Sequence, residues 1–321
     1  MDIKINFINE PDTIGLRDAY TKAVDEMMAA DKDVMAVEAD LMAASGITAI
    51  QDKYPGRVLD VGIAEANMIG VAAGLANTGK KVYSHTFAAF AARRTFDQIF
   101  ISCAYGKNSL KLYGSDPGIF AVYNGGTHMP FEDLGIMRTI PGAVIFEICD
   151  TVMFEKVIKM TKDMDGIIYY RAGRSPVQKI YPEGTEFPVG GSKVLIDGSD
   201  VAIFSSGFLV GEALDAAKLL EDKGISAAVI DLYSIKPIDA ETIVSFAKKT
   251  GAVVTTDNHN VNGGLGDAVA SVLSEKCPTP LRKLGINEEF GEVGSFDYLK
   301  DRFSLNAAGI VKKAEEVLKL K

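Results

Sequence analysis

Short apolar runs alternating with helix-length amphipathic stretches constrain this chain more than any other feature. The apolar runs fall at 34–39, 58–62, 81–85, 109–113, 143–147 and 166–171, and again at 201–205, 227–231 and 253–256. Helix-period stretches stand between them, at 65–77, 88–105, 132–139, 211–223, 240–249 and 266–273. An earlier one starts at Thr13, a residue type suited to capping, and ends near Ala30, with Leu16, Ala19, Tyr20, Ala23, Val24 and Met27 on one face. Strands separated by whole helices are joined by crossovers, which run the next strand parallel and cover one face of the sheet. The expected fold class is therefore α/β, with doubly wound, mainly parallel sheets.

The periodicity lapses between 178 and 192, where Tyr181-Pro-Glu-Gly-Thr-Glu-Phe-Pro-Val-Gly-Gly191 reads as a linker. A boundary near Pro188 gives two domains, 1–187 and a smaller 188–321, each long enough to bury its own core. The two halves share the pattern but no residue-level repeat.

A formal net charge of -9 sets the long-range field against polyphosphate backbones and anionic membrane surfaces, so nucleic acid is not the expected partner. Cys103, Cys149 and Cys277 lack the spacing of a zinc site or a disulfide framework and read as reduced thiols in a cytoplasmic protein. The first ten residues mix charge with apolar side chains too evenly for an export signal, and no apolar run is long enough to span a bilayer.

The familiar single-motif signatures are missing. His85, His128 and His259 have no metal-ligand spacing, no phosphate loop follows a strand, and Gly263-Gly-Leu-Gly-Asp267 lacks the dinucleotide-binding spacing. What remains is a set of side chains on the loops and helix starts that follow the strands, the edge at which parallel sheets bind ligands: Glu65, Phe87, Phe90 and His128. A carboxyl group such as Glu65 at a helix start is commonly a favourable dipole partner. In apolar surroundings it would instead hold a proton near neutral pH or share one with a ring nitrogen. Phe87 and Phe90, taken alone, read as core before they read as faces for a flat heterocycle. His259 reads as a polar loop residue, and Arg171 as readily as a strand-end ion pair as a ligand.

An ordered series of motifs decides between these readings. Asp40-Leu41, Gly62-Ile-Ala-Glu-Ala-Asn-Met68, Thr86-Phe-Ala-Ala-Phe90, Asp97-Gln-Ile99, Gly126-Thr-His-Met-Pro-Phe-Glu-Asp-Leu134 and Tyr170-Arg-Ala-Gly-Arg174 together resemble the transketolases over essentially the whole chain. More narrowly, the chain resembles the C-terminal subunit of a split transketolase, with a pyrimidine-binding domain and a C-terminal domain. The resemblance implies transfer of a two-carbon ketol unit from a ketose, expected to be phosphorylated, to an aldose acceptor, with thiamine diphosphate and Mg²⁺ as cofactors. It implies that Asp40, Leu41, Glu65, Phe87 and Phe90 face the cofactor, that Ser45, Asn124, His128 and Arg174 face the substrate, and that Glu65 and His128 are catalytic; Arg93, where the family often has an aromatic, reads equally as a cofactor contact and as a helix-surface arginine. No residue of this chain is expected to ligate the metal. The family's Gly-Asp-Gly diphosphate motif is missing here. A partner subunit carrying it is implied, with two copies of each chain in a heterotetramer.

Three departures bear on the substrate. Asn124 stands where the family has an acceptor-contacting Asp, the Ser115-Asp116-Pro117 region has no His where the family binds phosphate, and Ala44 replaces a phosphate-contacting Ser. Asp116 would repel a phosphate. Two rival readings, a beta subunit of the 2-oxo acid dehydrogenase type and a non-catalytic assembly subunit, are opposed respectively by the 127–133 motif with Arg174 and by the presence of Glu65.

Overall fold

A computed structural model describes residues 2–4 and 6–321. Met1 and Ile5, part of the opening segment read above as no export signal, lie outside the described residues. The strands that matter here are β1 (Val34–Glu38), β2 (Val58–Asp60), β3 (Lys81–Phe87), β4 (Leu110–Ser115), β5 (Val144–Glu147), β6 (Ile167–Ala172), β7 (Lys193–Asp197), β8 (Val201–Ser205), β9 (Ala227–Asp231), β10 (Ser234–Lys236), β11 (Val253–Asn260) and β12 (Leu281–Ile286).

Two large sheets result, as the alternation requires, beside a two-stranded pairing of Glu10–Pro11 with Gln178–Lys179. The first runs β10-β5-β6-β4-β3-β1-β2 and is parallel except at the β10–β5 edge. The second runs Asp2–Ile3, β7, β9, β8, β11, β12, with parallel pairing from β9 onward. Every residue of β1, β4, β6, β8 and β9 is buried. That is how strands covered by helices on both faces must read, as apolar runs without alternation.

The sheets exchange edges. β10 follows the second sheet's β9 in sequence yet pairs with β5 of the first, and Asp2–Ile3 precedes the first sheet yet pairs with β7 of the second. These are short pairings made across the junction, and the linear hydropathy pattern carries no trace of them.

Local starts and stops differ from expectation where side-chain chemistry intervenes. The first helix begins at Leu16 and is capped by Gly15, whose N–H meets the Asp18 carboxylate at 3.3 Å. Thr13 is therefore outside it. The helix expected over 88–105 is broken into Ala88–Arg93, Phe96–Gln98 and a wider coil over Ile99–Tyr105. At the break the buried Thr95 hydroxyl donates back to the Ala91 carbonyl, a side-chain bond that competes with the helical ladder. β11 runs on to Asn260, so His259 is a buried strand residue and not part of a loop.

Candidate active site

Register brings the strand ends together. Glu38 of β1 lies beside Asp60 of β2 and His85 of β3, Phe87 of β3 beside Ser115 of β4, and Ser115 beside Ala172 of β6. The segments that leave these ends therefore emerge along one edge, the carboxyl edge at which parallel sheets present ligand-binding groups.

Glu65 opens the helix Glu65–Asn77 that follows β2 and is 5% exposed. Its surroundings are not purely apolar. The Arg94 guanidinium donates to Oε1 at 2.6 Å and at the same time lies 3.9 Å from the centre of the Phe90 ring. Phe90 and Phe87 are 6.0 Å apart, and the His128 ring stands edge-on to both, at 5.1 and 6.0 Å. At the far side of Phe87 the Arg174 guanidinium lies 5.0 Å from the ring centre. A contiguous row results: Glu65, Arg94, Phe90, His128, Phe87, Arg174. Such a row presents ring faces to a flat heterocycle, a buried carboxyl at one end and a guanidinium at the other.

Arg174 is tied down. Its Nε and Nη2 donate to Asp116 Oδ2 at 2.7 and 2.5 Å, whereas Nη1 meets no partner among the described residues. Asp116 is 5% exposed and takes a left-handed backbone conformation with φ 51°, which Asp tolerates better than most residues. Burial pushes its carboxyl upward, and the Arg174 guanidinium opposes that shift.

Behind the row runs a buried polar chain. Ser45 Oγ donates to Glu38 Oε1 at 2.7 Å, Glu38 Oε2 meets His85 Nδ1 at 2.8 Å, and His85 Nε2 meets Ser115 Oγ at 2.8 Å. All four side chains are essentially inaccessible. Ser45, expected at the substrate, is instead committed to Glu38 beneath it, because the short helix Met42–Ser45 turns its last residue inward. The chain ties the 40–45 segment to the end of β4. Asp40 itself is exposed, also at positive φ, and its N–H donates to Asp60 Oδ1 at 2.9 Å, with Leu41 half-buried beside it.

The loop bearing His128 is held from two sides. Arg93 donates to the carbonyls of Thr127 at 3.2 Å and Met129 at 3.4 Å and pairs with Glu132, so it clasps this loop and does not enter the row of rings. Thr127 Oγ1 and His128 Nδ1 are 2.8 Å apart. From the second domain, the carbonyl of Gly291 would sit 2.3 Å from a Cβ on residue 126, which is why a glycine is required there. Asn124, in the same loop, is exposed.

Arg171, by contrast, is fully buried. It donates to Asp133 at 2.7 and 3.0 Å, to Glu147 at 2.8 and 2.9 Å, and to the Asn258 carbonyl at 2.9 Å. It joins the first sheet to β11 of the second and is closed to any ligand.

Sequence reasoning did not single out Arg94, Glu38 or His85, or the pairing of Asp116 with Arg174. Arg94 was discoverable, since it lies four residues beyond Phe90 and so on the same helical face. The pairing of Asp116 with Arg174 spans 58 positions and leaves no local signal.

Among the described residues no helix is long and apolar enough to cross a membrane, and no three His, Cys, Asp or Glu side chains are grouped to hold a metal ion. The carboxyl and ring faces fit the pyrimidine portion of thiamine diphosphate.

Residues 12–177 match the transketolase pyrimidine-binding domain and residues 190–310 the transketolase C-terminal domain. The chain is 47% identical over 306 residues to the 6-deoxy-6-sulfo-D-fructose transketolase subunit SqwH of Clostridium sp. (strain MSTE9), covering 95% of both chains. It is 35% identical to a subunit of the apulose-4-phosphate transketolase of Phocaeicola vulgatus, covering 95% of this chain and 98% of that one. A solved split-gene transketolase, described as an inactive beta4 tetramer, superposes with a TM-score of 0.88 at 37% identity, covering 97% of this chain and all of that one. This chain belongs to the transketolase family.

Proposed function

We propose that the chain is the pyrimidine-side subunit of a two-subunit, thiamine diphosphate-dependent transketolase, moving a two-carbon ketol unit from a ketose with an anionic terminus to an aldose. One observation carries this reading: a nearly buried Glu65 carboxyl stands at the end of a row of ring faces on the carboxyl edge of a parallel sheet. When bound, thiamine diphosphate supplies the nucleophilic carbon that the protein's own side chains lack. Glu65 then acts on the pyrimidine ring nitrogen, holding or releasing a proton there, assistance typically worth about 10²–10⁴-fold. Arg94 engages Oε1 only, which leaves Oε2 for this contact. Phe87 and Phe90 supply the faces against which the ring packs, His128 meets sugar hydroxyls, and Asp40 and Leu41 border the cofactor on the loop that the buried Ser45–Glu38–His85–Ser115 chain steadies. Arg93 acts through the His128 loop.

The partner is a chain bearing the diphosphate and Mg²⁺ domain, and two copies of each form a heterotetramer. The names of the two relatives, both called subunits, support this, as does the inactivity of the solved beta4 tetramer. The division near Pro188 separates the domain that faces the cofactor from the one that braces it. We place the enzyme in the cytoplasm, where Cys103, Cys149 and Cys277 stay unpaired. The donor class is a ketose ending in a tetrahedral oxyanion, sulfonate or phosphate, as in the names of those relatives.

Reconstitution tests the reading. The isolated chain should transfer no ketol unit, and mixing it with a candidate partner, thiamine diphosphate and Mg²⁺ should restore transfer from 6-deoxy-6-sulfofructose or a sugar phosphate. Robust turnover by the isolated chain would contradict it.

A further inference from the structure

We infer that Asp116 sets the substrate's charge: by sharing Arg174 it tunes the site to a ketose ending in a monoanion, a sulfonate, and against the dianionic phosphate. The inference rests on the ketol-transfer reading above and sharpens it.

Three observations place the selector. Arg174 stands at the end of the row opposite Glu65, beyond Phe87 and His128, and so at the end a sugar's tail reaches when its carbonyl end is near the cofactor. Two of its three guanidinium nitrogens are already engaged by Asp116 Oδ2, and Nη1 is the one without a partner among the described residues. The Asp116 carboxylate is nearly buried while the Arg174 side chain is 29% exposed, so the acid sits behind the guanidinium and the guanidinium fronts the solvent. The other titratable groups beside this pair are His85, which acts on Asp116, and Tyr113, on which both Asp116 and Arg174 act.

The charge balance follows. An unshared arginine offers a full positive charge and a bidentate fork, which suits a phosphate monoester carrying about -1.5 to -2 charges near neutral pH. An arginine bound to a buried carboxylate offers donors with little net charge. A sulfonate, one negative charge over three oxygens with no further ionisation, loses little in such a site. The second negative charge of a phosphate meets the carboxylate without compensation, and at separations of a few ångströms in a partly desolvated site that repulsion is worth about ten-fold or more in affinity.

The test uses the reconstituted enzyme with paired donors of the same sugar skeleton, 6-deoxy-6-sulfofructose and fructose 6-phosphate, and one acceptor. The unaltered enzyme is expected to favour the sulfonate at least ten-fold in kcat/KM, with the difference residing in KM. Asp116→Asn is expected to move the ratio about ten-fold toward phosphate, again through KM, and Asp116→Glu to retain the original preference. An unaltered enzyme that favours phosphate would overturn the inference even if the Asn variant does not fold. So would a folded Asn variant with an unmoved ratio. An enzyme that transfers ketol units without regard to terminal charge overturns this inference alone, whereas one inert with every donor and partner overturns the ketol-transfer reading beneath it.

Discussion

Arg171 and Arg94 are both arginines paired with carboxylates, and the contrast between them separates structure from chemistry. Arg171 is wholly buried and saturated, with all three nitrogens engaged by Asp133, Glu147 and the Asn258 carbonyl. Two carboxylates keep it charged, despite a desolvation that alone would favour neutrality. Arg94 is 49% exposed, touches Glu65 through one nitrogen, and rests its face on Phe90. A saturated buried pair has no bond left to give a ligand and serves to lock the two sheets together. A half-open pair at a strand end holds a carboxyl in place and can be exchanged for a ligand that makes the same contacts. Arg174 with Asp116 is half-open too, but there Asp116 keeps two nitrogens and leaves Nη1 to meet a ligand.

The contrast breaks most visibly in stability. Arg171→Met strands two buried carboxylates, and should cost about 3–5 kcal/mol in a denaturant titration. Arg94→Met removes a half-exposed pair and should cost less than about 1 kcal/mol. Equal losses would erase the distinction between the two pairs.

A smaller effect concerns the second domain's own buried acid. Burial pushes the Asp231 carboxyl up to about 7, although the Tyr181 hydroxyl and the Cys149 thiol donate toward it. The folded value lies above the unfolded one of about 3.9, so the fold favours the protonated form. Its contribution is complete below about pH 4 and is lost as pH rises through about 7. Asp231→Asn should therefore flatten the fall in Tm between pH 5 and 8 by several degrees, since a shift of this size corresponds to about 2–3 kcal/mol over that window and each kcal/mol moves Tm by about 2–4 °C or more. A variant whose Tm falls as steeply as that of the unaltered protein would show that Asp231 is not the group responsible.

The two regions were not equally legible in the sequence. Periodicity disclosed the alternation of strands and helices because burial on both faces leaves a continuous apolar run, and the motif series pointed to Glu65, Phe87, Phe90, His128 and Arg174. The edge exchange by β10 and by Asp2–Ile3 was invisible, since two or three paired residues carry no periodic signal. Thr13 looked like a cap by residue type, but Asp18 reaches back to Gly15 and moves the helix start. Ser45 looked like a ligand by its neighbourhood in sequence, yet its hydroxyl turns inward to Glu38. In each case the deciding partner is either backbone geometry or a side chain far away in sequence.

The central claim is that the open carboxyl at the row's end is chemical and not structural, and Glu65→Gln in the reconstituted enzyme tests it most directly. The variant keeps the shape and one acceptor oxygen but cannot gain or lose the proton. Assembly and Tm should match the unaltered enzyme while kcat falls about 10²–10⁴-fold. A variant that assembles and turns over at a near-normal rate would remove Glu65 from the chemistry, and with it this reading of the site.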